Sequence, residues 1–195
     1  MPSKFTPALP MKKICLLLAL ASTLTAQATS NTVDPATLPP LQAIPTLDVA
    51  RYQGTWYEIA KYPNSFQKKC VRNTRADYQP QPNGTLQVLN RCVTADGQTT
   101  EALGEARQVG PADSPKLEVR FAPAWLSFLP LVWGDYWVID LDPQYQLVAV
   151  SEPKREYLWV LSRTPQVDAT AYQALLKRLA QRGFDLERLQ LSPQN

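Results

Sequence analysis

Histidine is absent from all 195 residues. That removes the commonest general base and the commonest metal ligand, and with them Ser-His-Asp and Cys-His catalysis. Cysteine is scarce: Cys15, Cys70 and Cys92 are the only three, too few for a four-cysteine zinc site. Seven glycines form no phosphate-cradling loop. A surplus of one charge is also missing from the body of the chain. The formal excess of +3 rests on Lys4, Lys12 and Lys13, inside an opening stretch of 28 residues that holds no acid. Beyond it stand 17 basic and 17 acidic residues, and no basic run is dense enough to bind nucleic acid. The composition therefore points to no metal, no cofactor and no nucleic-acid partner.

What is present begins with an address. Met11-Lys12-Lys13 followed by Ile14 to Leu24 reads as the basic and apolar regions of a secretory signal. Ala26-Gln27-Ala28 supplies the small-x-small pattern, so cleavage is expected after Ala28, and Met11 is a candidate true start. The apolar run is too short to span a bilayer. Thr29 to Thr46 is rich in Pro, Ala and Thr and reads as a flexible leader. The folded domain is expected over residues 47–195.

That domain reads as short strands bounded by turn residues: Thr55–Tyr62, Cys70–Tyr78, Thr85–Val93, Glu101–Val109, Lys116–Phe121, Asp135–Leu141, Gln146–Ser151 and Tyr157–Ser162. Eight strands at this spacing suggest an all-β antiparallel meander, and closing it into an up-and-down barrel removes the exposed edges. Asp168 is a good cap for a helix over Ala169–Arg182, Gly183 a good stop, and Ala171, Leu175, Leu176 and Leu179 mark its apolar stripe. The helix should pack on the outside of the barrel. A last short strand is expected near Arg188 to Leu191.

Between the second and third strands, Pro80-Gln81-Pro82-Asn83-Gly84 is a turn. A hairpin centred on Gln81 sets Ala76 against Leu86, Thr74 against Val88 and Cys70 against Cys92, all on one face. Cys70 and Cys92 are then expected to form a disulfide in an oxidising compartment. Two free thiols, and catalysis by one of them, are the alternatives.

Gly54-Thr55-Trp56-Tyr57-Glu58-Ile59-Ala60 opens the first strand, and Tyr157-Leu158-Trp159-Val160-Leu161-Ser162-Arg163-Thr164-Pro165 carries the last. A glycine lets backbones close in while a large ring plugs a core, and an arginine can stack on that ring. With the strands between them, Gly54, Trp56 and Arg163 make the chain resemble the lipocalins, in particular the bacterial outer-membrane and apolipoprotein D-like group, over about Leu47 to Leu191. Asp140-Leu141-Asp142-Pro143-Gln144-Tyr145 resembles the second lipocalin signature, with Leu141 where threonine is common. Asp142 and Tyr145 are read with Trp56 and Arg163 as the plug of a closed end.

The resemblance implies a barrel that binds a hydrophobic ligand, with a homodimer left open. Alternation turns Leu161, Trp159 and Tyr157 inward with Arg163, and Thr74, Ala76, Leu86 and Val88 inward by the hairpin register. By resemblance, Tyr136 and Val138 are also inward. Asn90 and the tyrosine hydroxyls are candidates for holding a head group near the rim. Ala122 to Trp133 carries no charge. It joins the fifth and sixth strands at the mouth, and reads as a lid, a portal, a membrane-contact patch or a segment folded inward to complete the core. Trp125, Phe128 and Phe66 are expected at this entrance. Bacterial relatives in this group are often lipoproteins of the outer membrane. Cys15 lies at the start of the apolar run, the wrong place for a lipid-accepting cysteine, so a soluble periplasmic form is expected. The implied ligand is a fatty acid or lysophospholipid carried for envelope maintenance. An envelope protein that docks through the mouth loop is the second reading.

Overall fold

The computed structural model describes residues 38–195; the expected signal and cleavage site lie outside them. A one-turn helix α1 (Val49–Tyr52) leads into eight strands: β1 (Gly54–Lys61), β2 (Cys70–Pro80), β3 (Leu86–Thr94), β4 (Thr99–Gln108), β5 (Lys116–Arg120), β6 (Gly134–Leu141), β7 (Leu147–Ser151) and β8 (Leu158–Ser162). Consecutive strands pair antiparallel, and β1 pairs with both β8 and β2, which closes the barrel. Helix α2 (Ala169–Gln181) and the two-residue strand β9 (Gln190–Leu191) follow. Asp168 accepts from the Ala171 amide at 2.8 Å to cap α2. Gly183, at φ +83°, ends it.

Period-two alternation sorts the apolar residues into two layers. Leu47, Tyr52, Trp56, Ala76, Tyr78, Leu86, Val88 and Leu161 belong to the cluster inside the barrel. Ile59, Ala60, Tyr62, Leu158 and Val160 face outward and bury Leu175 and Leu179 of α2, so the helix covers one wall as expected. The leader's second half is also held to the barrel. Leu41 is buried, the Ile44 amide donates to Val138 O at 2.9 Å, and the Leu47 amide donates to Asp113 O at 2.8 Å.

The hairpin register differs from the expected one. Pro80 pairs with Leu86, Tyr78 with Val88 and Ala76 with Asn90, so the turn centres on Asn83. The Gln81 amide donates to Thr85 O and the Gly84 amide to Gln81 O, with Gly84 at φ +82°. Only a residue at ease in the left-handed region closes this loop. The displacement is an even number of residues, so every side chain keeps its face. Cys70 then lies opposite Thr94 and not Cys92. The disulfide forms nevertheless, with Cα atoms 5.5 Å apart. Two irregularities between Cys70 and Arg75, with Asn73 at φ +54°, slide this end of β2 along β3.

A second irregularity lies in β1. Glu58 pairs with Leu161 and Ala60 with Val160, so Ile59 is the extra residue. Ile59 and Ala60 both face α2, and Glu58 and Lys61 both face the interior.

The seam between β1 and β2 is closed in two ways. Near Trp56 the strands pair directly, from Gly54–Tyr78 to Tyr57–Arg75. Beyond Tyr57 they part, and the segment Gln190–Asn195 fills the gap. β9 pairs with Ala60 and Lys61, and the Ser192 amide donates to Ile59 O at 2.9 Å. On the other side the Asn73 amide donates to Pro193 O at 2.8 Å. Gln194 Nε2 donates across the gap to Glu58 O and Thr74 O, at 2.8 and 2.9 Å.

Candidate functional site

The closed end is bolted by one guanidinium. Arg163 lies 4.0 Å from the Trp56 ring centroid. Its nitrogens donate to Tyr145 O, Thr55 O and Arg51 O at 3.3, 3.1 and 2.6 Å. Trp56 is fully buried and donates Nε1 to Tyr52 O at 2.8 Å. Gly54, at φ +89°, leaves the gap that Arg163 needs, since a Cβ there would lie 3.3 Å from Nη1. Asp142 accepts from the Gln144, Gln146 and Leu147 amides, which shapes the corner between β6 and β7. Tyr145 sits there at φ +59°, its hydroxyl accepting from the Asp48 amide and its ring covered by Arg51 at 3.9 Å.

Above this plug, three tyrosine hydroxyls meet in the buried interior. Tyr136 is bonded to Tyr52 at 2.7 Å and to Tyr78 at 2.9 Å. Burial pushes all three hydroxyls up, Tyr78 to about 12. In the unfolded chain a tyrosine loses its proton near pH 10, while the folded chain keeps all three. The unfolded state therefore binds fewer protons above that pH, and stability must fall as pH rises from about 10 towards about 12. We expect a melting temperature that is flat up to about pH 9 and drops steeply above about pH 10, with the full tyrosinate absorbance of all eight tyrosines reached only as the barrel unfolds. Absorbance and circular dichroism followed together check this, and ionisation of all eight tyrosines in a still-folded barrel would contradict it.

The far half of the barrel is open. Along one rung, Trp56, Ala76, Asn90 and Ala102 are partners on neighbouring strands. The first two are buried, Asn90 is half-buried and Ala102 is exposed. Thr100, also inward by alternation, is exposed too. Phe121 fills the space over Gly104, where a Cβ would lie 2.6 Å from its ring. Phe66, Tyr157 and Trp159 form an aromatic ladder with centroids 5.3 and 5.8 Å apart.

The candidate ligand residues thus divide. Leu86, Val88, Tyr136 and Val138 belong to the packed lower interior, and Ala76 sits directly opposite Trp56. Thr74 is buried beside the seam. Asn90, Tyr157 and Trp159 line the open half, with Phe66 at its rim. Trp125 and Phe128 are 73% and 74% exposed and Leu131 is 96% exposed, so these side chains of the mouth loop do not complete the core. That loop makes two tight turns, Ala124–Leu126 and Pro130–Val132. Its far end is pinned by Trp133, whose ring stacks under Arg107 at 4.0 Å and Arg120 at 5.1 Å. Two clefts, of about 400 and 530 Å³, lie outside the barrel, one between α2 and the β6–β7 corner and one beside α1.

The sequence did not single out Glu58 and Lys61. Three residues apart in a regular strand, they would face opposite sides, and only the extra residue at Ile59 brings them together. Glu58 is 2% exposed. Its carboxylate accepts from Lys61 Nζ at 2.8 Å, Ser192 Oγ at 2.5 Å and Gln67 Nε2 at 2.6 Å. Gln67 Oε1 in turn accepts from Trp159 Nε1 at 3.0 Å.

The profile of the Lipocalin-like domain matches residues 47–194. The chain belongs to the lipocalin family. This lipocalin is 40% identical over 157 residues to temperature-induced lipocalin-1 of Arabidopsis thaliana, covering 80% of this chain and 83% of that protein. It is 35% identical over 142 residues to outer membrane lipoprotein Blc of Escherichia coli K12, covering 72% and 76%. Apolipoprotein D of Mus musculus is 32% identical over 163 residues, covering 80% of each chain. Among solved structures, insecticyanin from the tobacco hornworm Manduca sexta matches with a TM-score of 0.60 at 17% identity, over 80% of this chain and 85% of that one. Lobster apocrustacyanin A1 matches with a TM-score of 0.58 at 14% identity, over 75% and 79%. Those two likenesses speak for the fold alone. This lipocalin therefore belongs to a family of binding proteins for hydrophobic ligands.

Proposed function

We propose that this lipocalin is an exported, periplasmic carrier of one single-chain lipid, a fatty acid or lysophospholipid, for maintenance of the cell envelope. The observation that carries the reading is the contrast along the barrel. One end is plugged by Trp56 under Arg163, while the inward faces of Asn90, Ala102 and Thr100 stay uncovered below an aromatic rim. An eight-stranded barrel is just wide enough to hold one such molecule. Each buried methylene contributes roughly 0.8 kcal/mol, so a dozen give about 10 kcal/mol before ordering costs. The relatives named outer membrane lipoprotein support an envelope location. Among the described residues no helix is long and apolar enough to cross a membrane.

The exposed Trp125, Phe128 and Leu131 favour a second role for the same mouth, contact with an outer-membrane surface or docking on an envelope partner. Cavity-thiol chemistry has no support, because Cys70 and Cys92 are bonded to each other.

Native mass spectrometry of freshly purified protein tests the carrier reading first. We expect one copurified lipid per barrel, and saturable change of tryptophan emission as oleate or a lysophospholipid is titrated into delipidated protein, reported by Trp159. A folded protein that responds to neither leaves docking as the better account.

A further inference from the structure

Charge is almost excluded from the inside of this barrel. By the strand register, with irregularities in β2 and β6 that turn Arg72 and Asp140 out, the charged residues of β2 to β8 face outward, and several pair there, as Arg91 with Glu101, Arg107 with Glu118 and Arg178 with Asp140. Glu58 and Lys61 of β1 are the exception: Glu58 is inward by alternation with Trp56, and the extra residue at Ile59 turns Lys61 in beside it. A buried charge is costly unless it is paired and hydrogen-bonded, so the balance of donors and acceptors around these two is informative.

Both oxygens of Glu58 are engaged, taking donors from Lys61, Ser192 and Gln67. The Gln67 carbonyl oxygen is engaged as well, by Trp159 and Asn64. Lys61 is only partly engaged. An ammonium has three protons to donate, and the structure gives Lys61 Nζ one partner, Glu58 Oε1. Its side chain keeps 13% of its surface exposed, against 3% for Glu58. Lys61 stands beside Trp159 on the neighbouring strand, next to the aromatic ladder that lines the mouth. The wall therefore has donors to spare at the mouth end of β1, one rung in from Tyr157.

We propose that Lys61 is the head-group anchor of the barrel and binds the oxyanion of a single-chain amphiphile, carboxylate or phosphate, inside the wall rather than at the rim. This rests on the carrier reading and deepens it. Glu58 is a positioning residue: with Ser192 and Gln67 it fixes the lysine stem so that the spare protons point along the interior. Three donors already spread the carboxylate's charge, so a second anion on the far side of the ammonium is tolerated. Charge-assisted bonds are about twice as strong as neutral ones, so an oxyanion is the ligand that gains most here. The tail then lies along Trp159 and Tyr157 towards the mouth.

The test is a head-group series on one chain length: oleate, oleoyl lysophosphatidate, and the uncharged oleyl alcohol, each titrated by tryptophan fluorescence into delipidated protein. We expect at least one of the two anions to bind about tenfold more tightly than the alcohol, and which of them does so tells carboxylate from phosphate. Lys61→Gln should remove this preference, and Lys61→Arg should restore it. A purely structural ion pair would change the melting temperature of Lys61→Gln without changing the preference. Equal affinity of wild-type protein for all three probes overturns the anchor while sparing the carrier reading, and needs no variant to fold. An unaltered preference in folded Lys61→Gln overturns it as well. Failure of all three probes on folded wild-type protein overturns both.

Discussion

Replacing Arg163 by methionine will cost about 3 kcal/mol of stability, a drop in melting temperature of about 10 °C for a domain near this size. The loss has two sources. Methionine keeps an apolar cover on Trp56 but removes the cation 4.0 Å from the ring. It also strands the carbonyls of Tyr145, Thr55 and Arg51, which the guanidinium gathers from the β6–β7 corner and the α1–β1 stretch. Arg163→Lys should rescue little, because an ammonium cannot fan planar donors to three carbonyls while lying on an indole. Lipid binding by the folded fraction should be almost unchanged, since the plug lies at the opposite end from Lys61, Trp159 and Asn90. Thermal melts and lipid titrations on the same preparations check both halves. An unshifted melt would remove Arg163 from the closing of the barrel.

The second large effect is expected from the disulfide. A Cys70→Ala, Cys92→Ala variant should lose about 3 kcal/mol, the chain-entropy value for a loop of this length; the cysteines are 22 residues apart. The loss should be concentrated in one place. At its mouth end β2 no longer pairs with β1, and its pairing with β3 is irregular between Cys70 and Arg75. What holds it there is the disulfide, together with the bonds of Asn73 and Thr74 to the segment Gln190–Asn195. Hydrogen exchange should accelerate in Val71–Thr74 well before it does in Arg75–Tyr78, where β1 and β3 both pair. Uniform acceleration along β2 would show that the bridge acts only through the unfolded chain.

These residues also show what the sequence could and could not tell. Strand order and the closed end were legible, because they depend on local signals: turn residues every ten or so positions, an alternating pattern, and Gly54, Trp56 and Arg163, whose sizes and charge allow few other arrangements. The β2–β3 face assignment survived a wrong turn centre because parity is robust to an even slip. The slip itself was not legible, since Gln81, Pro82 and Asn83 all suit a turn and tertiary closure selects among them. The bulge at Ile59 carried no signal at all. Ile59 and Ala60 are apolar on either side of the sheet, and only α2 packing outside decides that both face it. The inward pair Glu58–Lys61 was hidden with it. The mouth loop was legible as apolar and uncharged, but not the way Arg107 and Arg120 grip Trp133, which joins positions distant in sequence.

The wall of the barrel is finished by Gln190–Asn195, which hydrogen-bond to β1 and β2 from opposite edges. Those six residues are synthesised after every other stave. Until they arrive, the edges of β1 and β2 stand bare along the upper seam, and Glu58 lacks its bond from Ser192. The seam therefore cannot close until residues 190–195 have docked in it, whatever the order in which the other strands pair.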